Sequence, residues 1–228
     1  MADVDGTQGF TSDTVAFFTE LEQHNDAAWF DAHRGTYKSC VQAPLAALLE
    51  ELTARLSDAP VPLRGSRATM FRINRDVRFS KDKRPYNTTA SALLTPSGTK
   101  AEDAGLLYLQ IGSEGGFMAA GLHSPAPARL APLRDRIVEA PEDFEQVVED
   151  LGAADLALGT DAQLKTMPRG YAEHAEHPQA WALRLKTFIV QRPITAELLL
   201  SDDLAERVEE FARDAAPLLM FVAGRGDA

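Results

Sequence analysis

Apolar positions recur at helical spacing toward both ends of the chain and alternate through its middle. Val15, Phe18 and Leu21 form a first helical stripe, with Thr11 or Ser12 placed to cap it and Asp13 in its first turn. His24-Asn25-Asp26 marks a corner, and Asn25 or Asp26 caps a longer second helix. On it Trp29, His33 and Tyr37 fall four apart along one side, with Phe30 and Arg34 beside them. Pro44 breaks or kinks that helix, and Leu45, Leu48, Leu49, Leu52 and Leu56 continue its apolar face. Residues 57–66 read as a loop.

Strands are expected at 68–73, 88–94, 105–112, 117–122 and 185–190, with a glycine-rich hairpin loop at 112–116. In the first of these, Phe71 and Ile73 would share a face with Thr69, while Met70, Arg72 and Asn74 share the other. Helices are expected at 125–140, from Pro141 onward, around Trp181, and over 196–200 and 202–222. The pattern predicts an α+β fold: one compact domain with a mostly antiparallel sheet of about five strands packed against N- and C-terminal helices. It covers residues 11–223, with a flexible arm at 1–10 and a frayed end at 224–228.

With 228 residues, 45% hydrophobic and 25% charged, the chain can bury a full core as a soluble protein. Its net charge of -11 argues against a general affinity for nucleic acid. The acidic start lacks the regions of a signal peptide, and no apolar run is long enough to span a bilayer. Cys40 has no second cysteine to pair with, and a structural thiol fits it better than a nucleophile. A cytoplasmic location is expected.

Against this acidic background one stretch stands out. Residues 72–84 hold six cations (Arg72, Arg75, Arg78, Lys81, Lys83, Arg84) and two acids (Asp76, Asp82), a charge of +4 that leaves -15 for the rest. The hydrophobic period stops after Asn74, so residues 74–87 read as an ordered loop with Phe79 as its apolar anchor. Arginine grips carboxylate or phosphate with a two-pronged hydrogen bond, and lysine adds a point charge. The alternative is that these cations pair with Asp76, Asp82 and other surface acids.

Elsewhere, the small residues Ala119, Ala120 and Gly121 leave room above the sheet for a ligand or a packed helix, and His123 follows at the strand end. His33 is either a satisfied core histidine or a site residue. Arg134 is better explained as solvated or salt-bridged than as reaching a site. His174 and His177 lack a third ligand at a known spacing, so no metal is expected, and no cofactor.

Several motifs resemble a widespread bacterial and fungal family known as domain-of-unknown-function family 2461, over nearly the whole chain. They are Asn25 with Trp29-Phe30, His33, Arg34 and Tyr37; Phe71 through Tyr86; Tyr108 through Gly112 with the Gly121 region; and Pro168-Arg169-Gly170-Tyr171, His177-Pro178 and Lys186. The chain departs at His24, where members often carry a second asparagine. The resemblance implies a compact α/β-type domain and supplies no catalytic residues.

Arg72, Asn74, Arg75, Arg78, Lys81, Lys83 and Tyr86 are expected to converge with Arg169 and Lys186 on one pocket for a small anionic metabolite, with Asp76, His33 and His123 as acid–base candidates. Two other readings stand beside it. One is a non-catalytic module whose basic loop docks on an acidic protein, or on short nucleic acid with Tyr86 stacking. The other is a structural ion-pair network pinning the sheet to the C-terminal helices.

Overall fold

A computed structural model describes residues 9–100 and 105–224. Residues 1–8 of the expected arm at 1–10 and residues 225–228 of the expected frayed end at 224–228 lie outside the described residues. Phe10, read as the end of that arm, is 7% exposed and belongs to the core.

The N-terminal helices are α1 (Ser12–Gln23), α2 (Ala27–Thr36) and α3 (Ala43–Arg55), with a π-helical turn at Tyr37–Gln42 joining the last two. Pro44 explains the turn. It has no N–H for the carbonyl of Cys40 four residues back, so the coil widens around its ring. The orphaned oxygen is not left bare: the buried Thr14 hydroxyl of α1 donates to Cys40 O at 2.6 Å. One proline thereby ties two helices together. Asp26 caps α2, accepting from the N–H of Trp29 at 2.9 Å.

The sheet is an antiparallel meander of four strands in sequence order: β1 (Ala90–Leu94), β2 (Leu106–Gly112), β3 (Gly115–Leu122) and β4 (Phe188–Thr195). Gly121 at φ 127° crosses β4 so closely that a Cβ there would lie 2.0 Å from Phe188 O. The expected fifth strand at 68–73 is replaced by a 3-10 turn and two isolated bridges, Met70 with Ala92 and Asn74 with Tyr86. Ser66 is the cause. Its hydroxyl accepts from the N–H of Ala68 and its carbonyl from that of Thr69, so the backbone curls instead of extending. The alternation fails with it: Ile73 is buried while Phe71 is 40% exposed.

After β3 come α4 (Pro127–Glu139), α5 (Pro141–Ala153) and α6 (Ala180–Leu183), and after β4 come α7 (Ala196–Leu199), α8 (Leu204–Asp214) and α9 (Ala216–Ala223). Helices α1, α8 and α9 contact the sheet. Leu107, Leu109, Met118, Ala120, Phe188 and Val190 fill the core with Phe18, Phe211 and Leu218. The opposite sheet face carries Ser91, Tyr108, Gln110 and Phe117, all half-buried, as an antiparallel sheet with one open face allows.

Arg134 is not solvated. At 7% exposed, it donates to the carbonyls of Leu183 (2.8 Å) and Leu185 (2.9 Å), closing the end of α6.

The corner between α1 and α2 reaches the cationic loop. The Asn25 side chain donates to Tyr86 O and accepts from Tyr86 N–H, both at 3.0 Å, as a neighbouring peptide would. Asn25→Ala leaves both groups of a buried residue without partners, and is expected to cost about 2 kcal/mol in urea unfolding. A change within the error of the wild type would contradict this role.

Candidate functional site

The loop between Asn74 and Tyr86 is closed at its base. Arg75 N–H donates to Pro85 O at 2.8 Å and Asn87 N–H to Ile73 O at 2.7 Å. Tyr86 is 6% exposed and stacks on Phe30 at 4.1 Å, so its ring has no free face for a base and its backbone is held by Asn25.

Within the loop most cations are consumed by neighbours. Arg78 forks onto Asp76, with Nε to Oδ1 at 2.9 Å and Nη2 to Oδ2 at 2.6 Å. Arg84 forks onto Asp82 in the same way, at 3.1 and 2.8 Å. Arg75 adds a second guanidinium to Asp82 at 2.8 Å and donates to Arg84 O. Lys83 donates to Val77 O at 3.0 Å. The same Asp-X-Arg spacing occurs twice, at 76–78 and 82–84, and each aspartate also accepts the backbone N–H two residues on. Lys81 is exposed, and Phe79, read above as an anchor, is 95% exposed with the Arg78 guanidinium 5.9 Å from its ring.

Arg72 and Asn74 behave differently. They lie at the edge of β1, where Phe71 N–H donates to Ser91 O, and line two adjoining clefts. The larger, of about 530 Å³, runs along the outer face of β1 and β2 past Asn87, Thr89, Ser91, Tyr108 and Gln110. The second, of about 380 Å³, lies between segment 67–74 and the end of α2, and adds Arg34, Lys38 and Arg67. Phe71, Arg72, Asn74 and Lys100 wall both. Among the described residues no carboxylate lines either cleft.

Among the described residues the Arg72 guanidinium has no hydrogen bond or ion pair, and Lys100 lies 5.3 Å from the Phe71 ring. Arg34 pairs with Asp31, and Arg67 donates to the Gln42 side chain. Burial pushes the Tyr37 hydroxyl above its usual range, against the pull of the Arg67 charge.

Of the expected site residues, only Arg72 and Asn74 line these clefts. Arg75, Arg78 and Lys83 are bound within the loop, and Lys81 projects from it. Arg169 and Lys186 are exposed, near α4 and α6, and do not line the clefts. His33 stacks on Trp29 at 4.1 Å with its Nδ1 2.8 Å from Trp29 O, a local contact within α2. His123 is exposed and walls a third cleft on the same sheet face. Among the described residues no group of three or more His, Cys, Asp or Glu side chains is placed to hold a metal.

Lys100, Arg67, Arg34 and Lys38 were not expected here. Arg34 and Lys38 stand four apart on one helical course, which is visible in the sequence. Their meeting with Arg67 and Lys100 is purely tertiary.

The carboxyl of Asp82 is held well below the usual carboxylate range, first by the Arg84 side chain, then by the Arg84 N–H and by Arg75. Because folding lowers this pKa, the staple is intact at neutral pH. It opens only as pH falls below the ordinary aspartate value toward the depressed one. A carboxyl-carbon NMR titration should find Asp82 still ionised near pH 3.9, where a free aspartate is about half protonated. Arg84→Ala should move the midpoint up, whereas an ordinary midpoint in the wild type would contradict the staple.

No helix among the described residues is long and apolar enough to cross a membrane. No curated protein matches the chain. The family model described as a conserved hypothetical protein (DUF2461) matches residues 13–221, so the chain belongs to that family.

Proposed function

We propose that this protein binds a small organic anion, a phosphate ester or a carboxylate, in the paired clefts beside β1. The observation that carries this reading is the distribution of charge. In a chain of net charge -11, Arg34, Lys38, Arg67, Arg72 and Lys100 line adjoining clefts without a carboxylate among the described residues. A concave site of one sign concentrates ions of the other. Arg72, whose guanidinium has no partner among the described residues, supplies the two-pronged donor, and Lys100 the point charge. Asn74, Asn87, Thr89 and Ser91 add uncharged donors around them.

Binding is favoured over catalysis. Asp76 is locked in a fork with Arg78, which holds it ionised, and His33 is absorbed by its own helix. Ser124 and His123 lie 3.5 Å apart, too far for an activated nucleophile. The ion pairs within the loop favour a supporting role for Arg75, Arg78 and Arg84, which fix the loop that follows Arg72 and Asn74.

Thermal unfolding with inorganic phosphate, citrate and small phosphate esters tests the reading. A bound anion at about a hundred times its dissociation constant adds about 2.7 kcal/mol, a shift of about 5 to 10 °C for a chain this size. Arg72 is exposed, and its guanidinium has no hydrogen bond or ion pair among the described residues to lose, so Arg72→Ala should fold normally and weaken binding by about tenfold or more. Arg78→Ala should leave binding unchanged. No shift with any of these anions, or a shift that survives Arg72→Ala with Lys100→Ala, would overturn the proposal.

A further inference from the structure

The cationic clefts continue into an apolar one. A third cleft of about 440 Å³ lies on the same outer sheet face, with Leu93, Leu106, Phe117, Ala119 and Ile189 in its lining. Phe71 and Tyr108 wall both this cleft and the larger cationic one. The two are halves of one trough, charged at the β1 end and apolar over β2 and β3.

Its floor has a defined shape. Across the sheet Tyr108 pairs with Ala119, and Ala119 with Gln191. The methyl of Ala119 therefore sits between two large side chains about 10 Å apart, roughly two strand spacings. Along one side runs a series of rings: Phe71 is 6.3 Å from Tyr108, and Tyr108 is 5.6 Å from Phe117. Phe71 is 40% exposed and Phe117 half-buried, so the series is open to the trough. The amide of Gln191 is exposed and has no hydrogen bond among the described residues. The Gln110 side-chain carbonyl accepts from the Tyr108 hydroxyl at 2.9 Å, and its NH₂ has no hydrogen bond among the described residues.

A bare oxyanion uses none of this second half. We propose, resting on the anion-binding reading above, that the ligand is a phosphate carrying a planar, hydrogen-bonding ring, of the nucleotide class. Its phosphate meets Arg72 and Lys100, and its ring lies over Ala119 against Tyr108 and Phe117. The stacking surface is generic to such rings, and the amides of Gln110 and Gln191 address the ring's polar edge. Charge favours a free nucleotide over a nucleic acid strand, since a net charge of -11 repels a long polyanion while a single trough accommodates one unit.

Calorimetric titration of the wild type with inorganic phosphate, phenyl phosphate and a set of nucleoside monophosphates tests this. At least one nucleoside monophosphate should bind about tenfold or more tightly than inorganic phosphate, with phenyl phosphate between them. Ala119→Leu fills the floor and should abolish that gain while leaving phosphate affinity as it was, which also shows that the variant is folded. Tyr108→Ala should reduce the gain. A single-stranded octathymidylate identifies the source of the nucleotide: weaker binding than the monophosphate at equal salt assigns the site to free nucleotides, tighter binding to nucleotides in a chain. Equal affinity for phosphate and every nucleotide, or a gain that survives Ala119→Leu, would overturn the inference and leave anion binding standing. Failure of phosphate and nucleotides alike would remove both.

Discussion

The Asn25 amide does for Tyr86 what an adjacent strand would do, giving one hydrogen bond and taking another at 3.0 Å each. Much depends on that exchange. Tyr86 sits at the end of a loop whose other end is Asn74, and the bridge between these two residues joins the ends. With Tyr86 fixed from behind by Asn25 and from the side by Phe30, the base of the loop cannot slide along β1. Arg72 and Asn74, just before the base, are thus set beside the sheet edge, and the cations after it are carried outward.

The second organising fact is where the acids are. Both aspartates of the loop are used inside it, each gripping the arginine two residues on. Such exposed pairs contribute little to stability, so their effect is geometric: they hold a loop without a hydrophobic core of its own in one shape. Phe79, almost wholly exposed, does not anchor the loop. Across the base of the loop the arrangement differs: cations line the clefts and, among the described residues, no carboxylate does, although Arg34 pairs with Asp31 on its own helix. One cationic sequence stretch has therefore been divided by folding into a self-neutralised part and an uncompensated part.

Much of the fold was legible in the chain. The alternation in Leu107, Leu109 and Ile111 and the glycines at 112–116 identify the β2–β3 hairpin, and Pro44 marks the interruption between α2 and α3. The family resemblance, too, was carried by residues that the family model matches. The expected strand at 68–73 was misread because its β-branched and aromatic content is strand-like, whereas a single serine hydroxyl at position 66 turns the backbone first. The site was only partly readable. Arg72 and Asn74 could be singled out by type and spacing, but charge density could not distinguish them from Arg78 or Lys83, whose partners are local. Lys100 and Arg67 lie in segments without periodicity, and only the fold brings them beside Arg72. Arg169 and Lys186 were grouped with the site on motif membership alone, and the chain folds them near other helices.

The central claim is that an anion is held where Arg72 and Lys100 meet, and not on the more conspicuous loop. Crystals soaked in tungstate, a tetrahedral oxyanion located by its anomalous scattering, test it most directly. The account predicts a peak in the cleft within contact distance of Arg72 and Lys100, lost in Arg72→Ala crystals. A peak seated instead on Arg78, Lys81 or Lys83, with the cleft bare, would contradict it.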